Sequence, residues 1–115
     1  MSQTQAVEVG LALYPGVQQA AVLGLTDLFC IANRISASYQ DKPVLALKVT
    51  HWQQPAPGIP LECIYDSEED LSSVLSAVIL PPTLSEPASV SPESSLITWL
   101  SQQHANGVIL GAVCA

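Results

Sequence analysis

Residues 7–16, VEVGLALYPG, run from a nearly uncharged series of strand-forming residues into the turn signal Pro15-Gly16. The series predicts a buried strand that ends where this dipeptide turns the chain. From residue 17 to about residue 35, apolar residues then recur at steps of three and four, which indicates the apolar face of a helix. Its members are Val17, Ala21, Gly24, Leu28, Ile31, Ala32 and Ile35. The chain therefore opens with a strand, a tight turn and a helix.

The later segments continue this alternation. Strands are predicted at residues 43–52, 59–65, 76–82 and 107–115, the second of these antiparallel because the connection before it is too short for a crossover. A short acidic helix is predicted from Asp66 or Ser67 to about Val74, and a longer one from Ser91-Pro92-Glu93 to His104, stopped by Asn106-Gly107. The strand runs are too continuously apolar for a half-exposed sheet, so the pattern favours an α/β fold with a mainly parallel sheet.

Three predicted strand ends should meet at one crevice, because ligands of parallel α/β sheets bind beyond the carboxyl ends of the strands. These ends are Tyr14-Pro15-Gly16, Leu80-Pro81-Pro82-Thr83 and Val113-Cys114-Ala115. Spacing alone leaves two interpretations of Cys114 open. At a sharp strand-to-helix turn, helix amides would lower the pKa of its thiol and could stabilise an oxyanion. Alternatively, Cys114 is a small apolar residue of a buried strand.

Composition limits the possible functions. A chain of 115 residues with 49% hydrophobic content can form one domain with a core. Three Lys and Arg residues against ten Asp and Glu residues give a net charge of −7, which has the wrong sign for binding DNA or an anionic membrane. The chain has no apolar run of about 20 residues, and its first residues lack the features of a signal peptide. The sequence thus predicts a soluble, cytoplasmic protein.

Neither a metal nor a cofactor is predicted from the residues that could bind one. Cys30, Cys63 and Cys114 are odd in number and widely spaced, which indicates free thiols rather than disulfides or a metal site. His51 and His104 have no cysteine, histidine or acid at ligand spacing, and both are interpreted as structural.

Three stretches together resemble a known family. They are VGLALYPGVQQAAVLGLTDLFCIANR (9–34), SAVILPP (76–82) and LITWLSQQHANGVILGAVCA (96–115). In this order they resemble the first part of the PfpI-type, class I glutamine-amidotransferase-like domain, most closely the version fused to AraC-type helix-turn-helix regulators. The resemblance covers nearly the whole chain, and its motifs are specific only in combination. It implies a flavodoxin-like three-layer α/β sandwich with a mainly parallel sheet, usually dimeric, with Cys114 at the nucleophile elbow.

The same resemblance implies that residues 1–115 are an incomplete domain, truncated at the nucleophile-elbow strand. Members of the family continue with a glycine, the elbow helix, further strands and, in enzymes, a histidine partner for the thiol. In the regulator branch a DNA-binding helix-turn-helix domain follows, so DNA contact is expected only through that C-terminal domain, which is missing from this chain.

Departures from the enzyme pattern bear on activity. The position that carries a Glu or Asp in active members corresponds to Ala21, which can neither accept a hydrogen bond nor exchange a proton. Asp27 lies about a turn and a half further along the helix and should not replace that acid. The loop that offers glycine amides to the oxyanion reads Pro81-Pro82-Thr83; proline has no N–H, although Thr83 can still donate one. With no histidine partner either, Cys114 is not expected to be active.

The leading hypothesis is therefore a fragment of an AraC-family transcriptional regulator that senses a small-molecule effector and dimerises, without catalysis, cofactor or membrane contact. Gly16, Ala21, Thr83 and Cys114 are expected to line the effector crevice, because they are small enough to leave room for a metabolite. One alternative is a truncated cysteine-dependent hydrolase or amidase of the PfpI superfamily. Another is a structural remnant whose ancestral pocket does nothing.

Overall fold

Five strands and two helices alternate along the chain in the computed structural model, which describes residues 6–38, 46–83 and 95–113. The strands are β1 (Ala6–Leu13), β2 (Leu47–Gln53), β3 (Glu62–Asp66), β4 (Ser73–Leu80) and β5 (Ile109–Ala112), and the helices are α1 (Gln19–Ser38) and α2 (Ser95–Ala105). The predicted helix start at Ser91-Pro92-Glu93 lies outside the described residues, as do Cys114 and Ala115.

All five strands form one sheet in the order β3-β2-β1-β4-β5. Strand β1 is parallel to β2 and β4, and β4 is parallel to β5, whereas β3 is antiparallel to β2. This confirms the predicted α/β fold with a mainly parallel sheet and an antiparallel return strand. If the antiparallel β3 is left out and β1, β2, β4 and β5 are renumbered 1 to 4, the parallel strands lie in the order 2-1-3-4. The chain leaves β1 toward one edge of the sheet and later returns to its other side, so a topological switch point lies between β1 and β4.

The two helices cover opposite faces of the sheet, because successive residues of a strand point to opposite sides. Leu11 of β1 belongs to the apolar cluster that packs against α1 through Val22. The next residue, Ala12, belongs to the cluster that contains Trp99 of α2. The indole of Trp99 packs on the indole of Trp52 with ring centroids 5.2 Å apart. The described residues therefore form three layers, with a core on each side of the sheet.

The predicted short acidic helix at residues 66–74 is wrong. The chain makes turns at residues 67–71 and enters β4 at Ser73. Lys48, which is buried, donates to the carbonyl oxygens of Glu68 (3.4 Å) and Leu71 (2.8 Å) and forms an ion pair with Asp66 at 3.0 Å. Because the Lys48 ammonium and the Asp66 side chain bind the backbone of this segment, they compete with helical hydrogen bonding.

The apolar face predicted for the first helix is not the face that packs on the sheet. Leu28, Ile31 and Ile35 are 57%, 49% and 53% exposed. The buried residues of α1 are Val22 and Thr26, which lie on the opposite side of the helix. The helix is apolar on two sides, and periodicity alone does not distinguish them. Because Thr26 is polar, the side of α1 that meets the sheet has the less continuous apolar pattern in the sequence.

The ends of the helices follow the predicted turn chemistry in part. Val17, predicted as helical, instead forms an isolated bridge with Thr83, and α1 begins at Gln19. Helix α2 ends as expected at Asn106-Gly107, where Gly107 adopts a φ of 89°. Neither helix, over the part of the chain that the structure describes, is both long and apolar enough to cross a membrane.

Candidate functional site

The candidate site lies at the switch point, beyond the carboxyl ends of β1 and β4. Two loops meet there, and we call them the β1 loop (residues 14–18) and the β4 loop (residues 81–83). The β1 loop leads directly into α1, and Gly16 turns it with a φ of 88°. A φ of that sign is accessible to glycine without steric cost, which explains the Pro15-Gly16 turn signal in the sequence. Crevices in open α/β sheets form at this location.

Four hydrogen-bonded contacts join the two loops. The phenol of Tyr14 donates to the carbonyl of Pro81, and the amide of Gln18 donates to the carbonyl of Pro82 at 2.8 Å. Val17 and Thr83 form an antiparallel bridge, and the Thr83 hydroxyl donates to the Gly16 carbonyl at 2.9 Å. Polar groups of the protein itself therefore hold the two loops together along this line.

The structure brings together two of the four predicted pocket residues. Gly16 and Thr83 are in direct contact through the hydroxyl of Thr83. Ala21 lies in the first turn of α1, half-buried, and its amide donates to the carbonyl of Gln18 at 3.0 Å. The fourth residue, Cys114, lies outside the described residues, so its predicted place at the elbow stays a prediction.

The end of β5 reaches the same edge of the sheet. The amide of Val113 donates to the carbonyl of Leu80 at 3.0 Å, which extends the pairing of β4 with β5 up to the start of the β4 loop. The described chain thus runs beside the candidate site as far as residue 113, in agreement with the prediction that three strand ends meet there.

The two loops offer little acid–base chemistry. Within residues 14–21 and 80–83, Tyr14 is the only titratable side chain. Burial raises the pKa of Tyr14, so its phenol stays protonated at neutral pH and acts as a hydrogen-bond donor. Pro81 and Pro82 have no N–H to direct at an oxyanion. Over the residues that the structure describes, these loops therefore offer hydrogen-bonding groups but neither a carboxylate nor an imidazole as a general base.

A second polar cluster connects α1 to the sheet. The Thr26 hydroxyl donates to the Val22 carbonyl at 2.7 Å, so at the 2.8 Å contact with His51 it accepts the proton of Nε2. Burial lowers the pKa of His51, which favours the neutral imidazole. The ring of Tyr65 packs against it with centroids 4.6 Å apart. In this arrangement His51 is a structural link between helix and strand, as the sequence suggested.

No role was predicted for Glu8, the one charged residue of the first strand, and the structure buries it. One carboxylate oxygen accepts from the Thr50 hydroxyl at 2.6 Å and the other from the Ser73 hydroxyl at 2.7 Å. Thr50 in turn accepts from the indole N–H of Trp52 at 2.8 Å. The network ties β1 to both neighbouring strands. Because Glu8 lies near the amino end of β1, it is at the opposite edge from the candidate site.

A shallow cleft of about 530 Å³ lies elsewhere, at the end of α2, lined by His104 and residues 107–110. It does not include any of the predicted pocket residues. Among the described residues, no group of three or more His, Cys, Asp or Glu side chains is placed to hold a metal ion.

Comparison with known proteins gives no further identification. No protein-family model matches the chain, and neither does any curated protein or solved structure.

Proposed function

We propose that this chain forms the effector-sensing and dimerising domain of an AraC-type transcriptional regulator that acts in the cytoplasm, with a flavodoxin-like three-layer architecture and no catalytic activity. The observation that carries the proposal is that the two loops at the switch point, over their described residues 14–18 and 81–83, carry no carboxylate and no histidine. A binding site needs shape and hydrogen-bond donors, whereas an amidase needs in addition a proton acceptor beside its nucleophile.

The parallel strand order supports the architecture. An order of 2-1-3-4 for the parallel strands, with helices on both faces, agrees with the beginning of a flavodoxin-like sheet. The net charge of −7 supports a domain that leaves phosphate contacts to a separate helix-turn-helix domain. In this proposal the DNA-reading domain follows the sensor in the full-length protein, and the sensor pairs with a second copy.

The hydrogen bonds between the loops suggest how an effector would be accommodated. The Thr83 hydroxyl and the Tyr14 phenol both donate to backbone carbonyls across the crevice. A polar metabolite that enters would exchange these contacts for its own, which costs little if each donor regains a partner. Ala21, a half-buried residue in the first turn of α1, presents only a methyl group next to the β1 loop.

The test is ligand stabilisation measured by thermal shift across a panel of small metabolites. A ligand of the crevice present at about 100 times its Kd should stabilise the protein by about 2.7 kcal/mol. The variant Ala21→Phe should abolish the shift, because the ring fills the space beside the β1 loop. The matched control is Ala20→Phe, which adds the same ring at the neighbouring exposed position and should leave the shift unchanged.

Labelling of the intact full-length protein with iodoacetamide between pH 5 and pH 10, read by peptide mass spectrometry, separates this proposal from the hydrolase alternative. A Cys114 pKa at or above the ordinary value of about 8.5 supports a binding site. A Cys114 pKa well below that value would mean an activated nucleophile and would favour the hydrolase. Cys63, an exposed residue whose thiol pKa is raised by partial desolvation, serves as the internal reference.

A further inference from the structure

Helix α1 carries a second apolar face, here called the outward stripe, which consists of Gly24, Leu28, Ile31 and Ile35. The three large side chains are 57%, 49% and 53% exposed, in chain order. At 3.6 residues per turn, the centre of the stripe lies about 140° around the helix from the residues that meet the sheet. Isolated exposed apolar residues are ordinary, but a row of this length along one helix is typical of an interaction surface.

The position of the stripe on α1 argues against burial by a second helix packed beside α1 on the same face of the sheet. A helix packed beside α1 on this face of the sheet would cover a flank, about 90° from the side that meets the sheet. Leu23, which is 61% exposed, lies on such a flank. The outward stripe is centred further from the sheet than either flank, so a helix of the same layer would leave much of it exposed.

The spacing of the stripe is symmetric. Its residues are separated by four, three and four positions, so the stripe has the same spacing when read in either direction. In an antiparallel pair of identical helices, Gly24 of one copy would lie opposite Ile35 of the other, and Leu28 opposite Ile31. A Cβ added at Gly24 would meet nothing within 4 Å, so this position leaves a hollow for a large side chain from the other copy.

Charge supports the same arrangement. Asp27 and Arg34 are exposed on one flank of the stripe, and their midpoint along the helix is within about one residue of the midpoint of the stripe. In an antiparallel pair related by a two-fold axis, each Asp27 would lie beside the Arg34 of the partner subunit. In a parallel pair related by a two-fold axis along the helices, the two copies of this flank would lie on opposite sides of the contact, so Asp27 would not meet Arg34 of the partner subunit.

We propose that the outward stripe binds the outward stripe of a second copy of this chain, with the two α1 helices antiparallel in an isologous contact. The inference deepens the proposed function, because it names the surface through which the sensor domain pairs. It rests on the exposure, spacing and charge of α1, and it does not depend on the crevice.

Sedimentation velocity on the 115-residue protein over a concentration series tests the proposal, since it separates a dimer from larger aggregates. The wild type should show a reversible monomer–dimer equilibrium, and Leu28→Lys should raise the dimer Kd by about tenfold or more. Leu28 is exposed in the protomer, so the variant should fold, which circular dichroism checks. The control Val74→Lys, which adds the same charge at a 55% exposed position on β4, should leave the Kd unchanged.

A charge exchange tests the orientation. Asp27→Arg and Arg34→Asp should each weaken the dimer, and the double variant should restore it, because each new pair again has opposite signs. A monomeric wild type, equal weakening by Val74→Lys and Leu28→Lys, or no restoration in the double variant would each overturn the proposal. Effector binding by Leu28→Lys in the thermal-shift assay is a separate readout, so failure of the interface and failure of the sensing function are distinguishable.

Discussion

Tyr14, His51 and Tyr65 share one property at the scale of single residues: burial disfavours their charged forms. It raises the pKa of both phenols and lowers the pKa of the imidazole. At neutral pH all three side chains are therefore uncharged, and the polar contacts that they make are ordinary hydrogen bonds and ring packing.

The His51–Thr26 contact makes stability depend on pH. Because the folded pKa of His51 is lower than the unfolded value of about 6.5, the unfolded chain binds the proton more readily. Stability is thus complete above pH 6.5 and falls as the pH drops from there toward the folded pKa. In His51→Gln, whose amide can still donate to Thr26, the urea midpoint should depend less on pH between 7.5 and 5 than it does in the wild type.

The matched control for this measurement is His104→Gln, which removes the exposed histidine at the end of α2. If the urea midpoints of His51→Gln and the wild type change equally with pH, and both proteins fold, then burial of His51 does not contribute to the loss of stability in acid.

At the scale of the helix, α1 shows that an apolar face need not be a core-facing one. Val22, Leu25 and Phe29 pack on the sheet together with Thr26, whose hydroxyl is satisfied by the helix backbone and by His51. A hydrogen-bonded threonine is inexpensive to bury, but it weakens the apolar signal of its own face.

The assignment of faces predicts unequal costs for the same truncation on neighbouring residues of α1. Leu25→Ala should lower the free energy of unfolding by about 2 kcal/mol, because Leu25 packs against the core under the helix. Leu23→Ala should change it by no more than about 0.5 kcal/mol, since Leu23 is exposed on a flank. Urea denaturation of both variants measures the difference, and equal costs would contradict the observed orientation of α1.

Most of the elements were predictable, for reasons that are local. Strands β1, β4 and β5 and the stop at Gly107 follow from continuous apolar runs and from turn chemistry within a few residues. The segment at residues 67–71 was mispredicted because its backbone is bound by Lys48, which lies more than a dozen residues earlier in the chain. The contact that overrides the acidic helix is not local, so no window of the sequence contains it.

At the scale of the whole molecule, the two ends of the sheet differ in how they are protected. Strand β3 carries Glu62 and Asp66, and the pairing with β2 contains a register shift between His51 and Trp52. Charges and irregularities of this kind discourage edge-to-edge association. Strand β5 at the other end has no charge, and its Ile109 is 70% exposed.

This asymmetry predicts where the protein aggregates. The wild type should bind the dye ANS and form light-scattering particles on warming, and Ile109→Lys should slow particle formation by adding a charge to the β5 edge. The control Ile59→Lys adds the same charge in the loop before β3, at a position that is 46% exposed. Equal slowing by both variants would show that net charge, rather than the β5 edge, controls aggregation.

The candidate site was predictable in its location but not in its internal contacts. Because parallel strands end at a common edge, the sequence could place Gly16 and Thr83 near each other. It could not show that their loops are hydrogen-bonded across the mouth of the crevice, since Tyr14 and Pro81, like Gly16 and Thr83, are 67 residues apart in the chain.

By itself the sequence determined the α/β class, the mainly parallel sheet with its antiparallel return strand, and the turns at Gly16 and Gly107. These features depend on periodicity and on backbone preferences, which act over a few residues. The tertiary structure alone decided which face of α1 meets the sheet, how residues 67–71 turn, and how the β1 and β4 loops close on each other. Each of these depends on groups that only folding brings within hydrogen-bonding or van der Waals distance.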